Sequence, residues 1–411
     1  MNVVAPDDAT LVITLRYPAP FFFSMSTIWT IRPVYREVIE EAGDNWTDPG
    51  VIVTNGPYMV AELIPNVRRV AVANPFFPAD LRGPGNIERL EISIVRDGNT
   101  NFSLYLANQV DITGIPAAEL ENVRNDPELS QQIVPSTDIA VGYLAFDHSK
   151  APFDDVHLRR AFAAILDRSA YIQQVQLGQG QAIYHFTPPG MLHAPPSLTD
   201  PGVGFNVQYA QEQLALSRYP GCQGLPPVSL AGTQGSADNF EFIKAAAEQY
   251  LGCDPNLFTV EELEFSVLLQ LTAFNQPTQN RPHMWSIAWG PDYADANNWV
   301  GDVISCYKDN NFLRPCTEVD DLIEAAAREL DPERRTQLYF EAEAALFGRE
   351  VDGQVVVDGE VPFIPLSTGG GFALVKPWYE GPFATDGIIG GQHWDWRTVD
   401  QAAQQAARGG R

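Results

Sequence analysis

Lysine is scarce in this chain: Lys150, Lys244, Lys308 and Lys376 are the four present among 26 basic residues, set against 52 acidic ones in a length of 411. A formal charge of -26 argues against a surface made to hold nucleic acid or an anionic membrane face. Long apolar runs are missing too. No stretch reaches the roughly eighteen residues that crossing a bilayer requires, and Asn2 to Asp8 lack the basic start and apolar core of a signal peptide. The six histidines (His148, His157, His185, His193, His283 and His393) are scattered, and no Cys-x-x-Cys pair occurs, so no metal or cofactor is expected. Catalytic signatures are absent as well. There is no Gly-x-Ser-x-Gly elbow, no phosphate-binding Gly-Lys loop and no His-Glu-x-x-His, and Gly369-Gly370-Gly371 has no following lysine or helix start. Acid pairs such as Asp292 with Asp295, or Glu261 and Glu262 with Glu264, suit a glycosidase. In a chain with 52 acids such pairs arise by chance.

What is present is enough apolar residue, 45%, for two or three domains with cores of their own. The four cysteines are even in number. Cys306 and Cys316 flank a polar loop of a size that suits a small disulfide, and Cys222 with Cys253 brackets an expected strand and helix and could form a second. If both bridges form, the protein works in an oxidising compartment. Four reduced, partly buried cysteines are the alternative.

The chain pattern is mixed α/β. Residues 10–17 alternate like a half-buried strand, 32–42 read as a helix stopped by Gly43, and strands are expected at 58–63, 68–73 and 87–94, then a helix over 99–109. A strand at 141–146 precedes Lys150-Ala151-Pro152-Phe153, which reads as a boundary. Asp154 or Asp155 then caps a helix whose apolar face is Leu158, Phe162, Ile165 and Leu166, ending near Asp167-Arg168. Residues 185–204, rich in proline and glycine, carry no regular pattern and suit a wrapping surface segment. A strand, helix and strand follow at 228–231, 238–251 and 257–261, with another helix at 264–271. Residues 319–330 form a helix, and Asp331-Pro332 restarts the chain as a second helix to residue 347. Residues 361–366 are strand, and the tail 401–411 is expected to fray.

The segment with most chemical content runs from Met284 to Asp295. An apolar strand carrying Trp285 and Trp289 is halted by Gly290-Pro291, and Asp292 and Tyr293 follow at once. A carboxylate at a strand end among aromatics suits a floor for a small organic ligand. A core strand with an exposed turn acid explains the segment equally well.

Other segments break that tie. Asn55-Gly56-Pro57-Tyr58 is followed by Ala73-Asn74-Pro75-Phe76-Phe77, then by Gln109-Val110-Asp111-Ile112. Pro152-Phe153-Asp154-Asp155 with Arg159 and Arg160 opens a helix that closes on Asp167-Arg168. Trp289-Gly290-Pro291-Asp292-Tyr293-Ala294-Asp295 comes next, then Asp331-Pro332-Glu333-Arg334-Arg335 with Leu338-Tyr339, and Pro362-Phe363-Ile364-Pro365-Leu366. In this order, over nearly the whole chain, these elements resemble the extracytoplasmic solute-binding proteins of peptide ABC transporters, the oligopeptide- and dipeptide-binding type called family 5.

The resemblance implies an α/β, two-lobed periplasmic-binding-protein-like fold (type II, cluster C) with mixed sheets and a hinge between the lobes. It implies a monomeric, extracytoplasmic protein, periplasmic or a cell-surface lipoprotein, that captures peptides or similar small solutes and delivers them to a membrane permease and its ATPase, catalysing nothing. Asp292 would take the ligand's α-amino group, with Trp289 and Tyr293 as walls. By the same comparison residues 1–52 are the remnant of an extra N-terminal module, 53–145 a partial first lobe, 146–366 the second lobe, and 367–411 a return to the first. That family's opening strand and its Leu-Arg-x-Gly-x-x-Phe-x-Asp-Gly element have no counterpart here. The chain is therefore expected to be N-terminally truncated, with an incomplete first lobe, an unpaired sheet edge and reduced stability or self-association. The alternatives are an acidic secreted hydrolase using a carboxylate pair, or a truncated relic without transport activity.

Overall fold

Short runs rich in valine, leucine and aromatics, punctuated by glycine and proline, become strands in the computed structural model, which describes residues 2–26, 28–135, 139–381 and 393–409. The chain divides into two compact units, one of residues 1–27 and 138–369 and one of residues 28–137 and 370–411. The breaks fall at 27/28, 137/138 and 369/370.

The larger unit is built on a six-stranded sheet in the order Phe258–Leu263, Val228–Thr233, Met284–Trp289, Val141–Phe146, Phe363–Thr368, Gln181–Ala182. The first three strands are mutually parallel and the remaining pairings antiparallel. Parallel neighbours need a crossover, and the helix Ala237–Ala246, extended by one wider turn over Ala247–Leu251, supplies it between Val228–Thr233 and Phe258–Leu263. Gly252 ends that helix at φ 73°, a conformation that a side chain would strain.

Val141–Phe146 lies at the centre and alternates between two buried faces. Leu144 and Phe146 join Leu158, Phe162, Leu230, Phe240, Met284 and Ile364 on one side. On the other, Tyr143 packs against Phe363 at 4.4 Å and Phe186 at 5.5 Å, and Phe186 against Trp299 at 5.0 Å. Fully burying one such side chain stabilises by about 1.5–3 kcal/mol. The pairing Trp285↔Ala145, Ile287↔Tyr143 and Trp289↔Val141 puts both strand tryptophans on the aromatic side.

Caps set the helix bounds. Asp155, rather than Asp154, caps Val156–Ala164 by accepting from His157 N at 2.9 Å. That helix stops short of the expected end, because Asp167 accepts from the amides of Ser169 and Ala170 and starts a separate helix, Arg168–Gln174. Thr317 and Asp320 form a capping box on Glu318–Arg328, and Asp331 with Pro332 opens Pro332–Phe347. Residues 185–204 hold no helix or strand. They are tied down where Glu343 accepts from the amides of Phe186 and Thr187 at 2.9 and 2.8 Å, and by isolated bridges at Leu192 and Gly202. Disulfides join Cys222 to Cys253 and Cys306 to Cys316, both within this unit.

The smaller unit holds the antiparallel sheet Tyr58–Ile64, Arg68–Ala73, Arg89–Ser93 and a second one in which Phe372–Val375 lies between Ile112–Gly114 and Ile133–Pro135. Its core gathers Phe102, Tyr105, Leu120, Val123 and Leu374. The helix expected over 32–42 is Arg36–Ala42, shorter at its N-terminal end. The tail is not frayed through residue 407: Asp400 caps the helix Gln401–Ala407, while Gln404 and Arg408 both reach Asp111, Arg408 at 2.9 Å. Residues 410–411 lie outside the described ones.

Candidate functional site

Gly290 and Pro291 end the Met284–Trp289 strand, so the chain turns and presents three aspartates within eleven residues, each with a different fate. Asp295 is 1% exposed and accepts from both terminal guanidinium nitrogens of Arg335, at 2.7 and 2.8 Å. Asp302 accepts from the Tyr293 hydroxyl at 2.5 Å and from Asn298 at 3.3 Å, with Lys308 at 3.7 Å. Asp292 is half-buried. Its amide donates to Asn298 Oδ1 at 2.7 Å, and its carboxylate receives a long contact of 3.4 Å from Asn298 Nδ2. Among the described residues no Lys, Arg or His pairs with it.

A polar ladder holds this arrangement. Arg335 also donates to Ala326 O and to the Tyr339 hydroxyl; Tyr339 donates to Asn297 Oδ1, and Asn297 Nδ2 donates to the Tyr293 hydroxyl at 2.8 Å. Burial, reinforced by Asp302, pushes the Tyr293 hydroxyl well above the ordinary phenol range, and burial does the same for Tyr339. Both phenols stay neutral and act as fixed dipoles. Phe21 stacks on Tyr293 at 5.9 Å, and the Arg335 guanidinium lies 5.8 Å from the Phe21 ring.

The structure thus gathers Trp289, Asp292 and Tyr293 on one turn but gives them unlike surroundings. Tyr293 is 3% exposed and its hydroxyl is fully engaged, so its ring backs the turn and has little open surface. Trp289 is half-buried with an indole N–H that is shielded from solvent and has no hydrogen-bond partner. Asp292 alone of the three aspartates has no cationic side chain paired with it among the described residues. Phe21 and Asn298 were not singled out from the sequence, and Arg335 was named there only within the Asp331-Pro332-Glu333-Arg334-Arg335 element, without a role at the site. Their signals were the Phe21-Phe22-Phe23 run after Pro18-Ala19-Pro20, the Asn297-Asn298 pair just past the acids, and the second arginine of Arg334-Arg335. Among the described residues no cluster of His, Cys, Asp or Glu could hold a metal ion, and no helix is long and apolar enough to cross a membrane.

Comparison with known proteins bears on the family and the fold. The family model for bacterial extracellular solute-binding proteins, family 5 Middle, matches residues 1–311. The probable deoxycholate-binding periplasmic protein YgiS of Escherichia coli is 25% identical over 385 residues, covering 93% of this chain and 68% of its own length. The periplasmic oligopeptide-binding protein OppA of Salmonella typhimurium is 24% identical over 387 residues, covering 93% and 67%. Among solved structures, the periplasmic binding protein DppA of Helicobacter pylori in complex with the peptide STSA superposes with a TM-score of 0.79 at 17% identity, over 97% of this chain and 74% of that one, so the fold is the same. The chain belongs to the bacterial extracellular solute-binding proteins of family 5, which bind solutes and are not enzymes.

Proposed function

We propose that this protein is the substrate-binding component of an ABC importer, that its ligands are short peptides, and that Asp292 receives the ligand's α-ammonium group. The observation that carries the reading is the state of Asp292: half-buried, at a strand end, and without a cationic partner among the described residues. A partly desolvated carboxylate is held at a cost unless a cation completes it, and a charge-assisted hydrogen bond to an ammonium does so. Trp289, half-buried at the end of the same strand, adds an apolar wall. An anionic steroid would meet Asp292 as a like charge, so the chemistry of the turn favours a peptide N-terminus. Two disulfides in the larger unit support work outside the cytoplasm, where a membrane permease and its ATPase would receive the cargo.

The test is retention. Purified protein is incubated with a mixed tripeptide and tetrapeptide library, desalted, and its bound peptides released and identified by mass spectrometry. Recovery of peptides with free N-termini from the native protein, and their loss from Asp292→Ala, supports the reading. Equal recovery from both proteins removes Asp292 from the site, and recovery of no peptide from the native protein removes the ligand class.

A further inference from the structure

An asparagine side chain accepts through its oxygen and donates through its nitrogen, and its neighbours settle which end is which. At Asn298 one contact is enough. The Asp292 N–H donates to Asn298 Oδ1 at 2.7 Å, so that end is the oxygen and the other end, Nδ2, is a donor. Nδ2 lies 3.4 Å from Asp292 Oδ2 and 3.3 Å from Asp302 Oδ2, so one neutral donor stands between two carboxylates of like charge. Asp302 has a second hold in the Tyr293 hydroxyl at 2.5 Å. Asp292 has none. Asn298 grips it at two atoms, the backbone amide and Oδ2, and among the described residues no hydrogen bond reaches its Oδ1.

The grip is itself held from behind. Asn298 is 1% exposed and belongs to the helical segment Asn297–Ile304, which is anchored by the fully buried Trp299, Val300 and Ile304. Asp295, fixed by Arg335, accepts from Asn297 N through Oδ1 at 2.9 Å and from Asn298 N through its carbonyl at 3.0 Å. Rotating the Asn298 side chain would break its bond to the Asp292 amide and both carboxylate contacts at once. The buried Arg335–Asp295 pair is thus linked to Asp292 through a single side chain. A carboxylate that is free to turn loses that freedom when a cation binds, whereas one held beforehand has little left to lose.

We propose that Asn298 is a positioning residue for the ligand's ammonium group: it holds Asp292 Oδ2 and leaves Oδ1 as the oxygen that receives the ammonium. This role presupposes Asp292 as the ammonium's partner. Titration calorimetry of native protein and Asn298→Ala, with one library tripeptide that the native protein retains, free and N-acetylated, tests it. The free peptide should bind Asn298→Ala about three- to tenfold more weakly than the native protein, the weight of one hydrogen bond. The acetylated peptide should bind both proteins equally, and in an Asp292→Asn background Asn298→Ala should cost nothing further. Should Asn298→Ala not fold, Asn298→Asp, which keeps an oxygen for the Asp292 amide and lacks the N–H donor, should show the same selective loss. Equal losses for the two peptides, or no loss for either, overturns the positioning role, while the native preference for the free peptide keeps Asp292 in place. A native protein that retains no peptide, or binds the free and acetylated forms equally, removes the Asp292 reading and the role of Asn298 with it.

Discussion

Asp292, Asp295 and Asp302 differ in what reaches them, and that difference decides what each can do. Asp295 is locked to Arg335 in a buried bidentate pair, so Asp295→Asn leaves a buried guanidinium uncompensated. A loss of about 3–5 kcal/mol in urea unfolding is expected. Asp292→Asn removes a half-exposed carboxylate with one weak internal contact, and its stability should stay within about 0.5 kcal/mol of the native protein in the same experiment. Histidine supplies a pH dependence. Burial, with Lys150 nearby, lowers His283 from its ordinary value to about 4 in the folded protein. Below an unfolded pKa of about 6.5 the unfolded chain takes up a proton that the folded one refuses until about pH 4. The neutral imidazole's contribution is thus fully present above that unfolded pKa and is lost as pH falls through the window. Thermal melts of His283→Asn should be less sensitive to pH between 6.5 and 4 than those of the native protein.

At the scale of elements, the features readable from the sequence were those decided by neighbours along the chain. The Asp331-Pro332 restart and the capped helix after Asp155 rest on contacts within a few residues, and the Met284–Trp289 strand is marked by its apolar run and the Gly290-Pro291 stop, although its pairing partners are distant. Asp167 was read as a helix end because its cap lies inside a periodic apolar run, where Ile165 and Leu166 continue the stripe. The C-terminal helix was missed for the opposite reason. Its anchor, Asp111, is 297 residues from Arg408, beyond any local pattern. Asp111→Ala should raise hydrogen exchange of residues 401–407 and leave the central strand Val141–Phe146 protected, as mass spectrometry of the exchanged protein would show. The disulfides constrain the unfolded chain by different amounts, since Cys222–Cys253 spans a separation of 31 and Cys306–Cys316 one of 10. Loop-closure entropy gives roughly 4 and 3 kcal/mol. Denaturant titrations of the two paired serine variants should rank them in that order.

For the molecule as a whole, each unit is assembled from segments that are distant in sequence, the larger from 1–27 with 138–369 and the smaller from 28–137 with 370–411. Family membership was legible because its motifs recur in order along nearly the whole chain. Which acid stays free was not, because that depends on Arg335 crossing 40 residues to occupy Asp295. The central claim is that the unpaired Asp292 reads a peptide's free amino end. Titration calorimetry with one tripeptide retained from the library, free and N-acetylated, on native protein and on Asp292→Asn, tests it most directly. Acetylation and the substitution should each weaken binding to the native site by about 1.5–3 kcal/mol, roughly ten- to over a hundredfold, and together by little more than either alone. Equal affinity for the free and acetylated peptide, or additive losses in the doubly altered pair, would contradict the account.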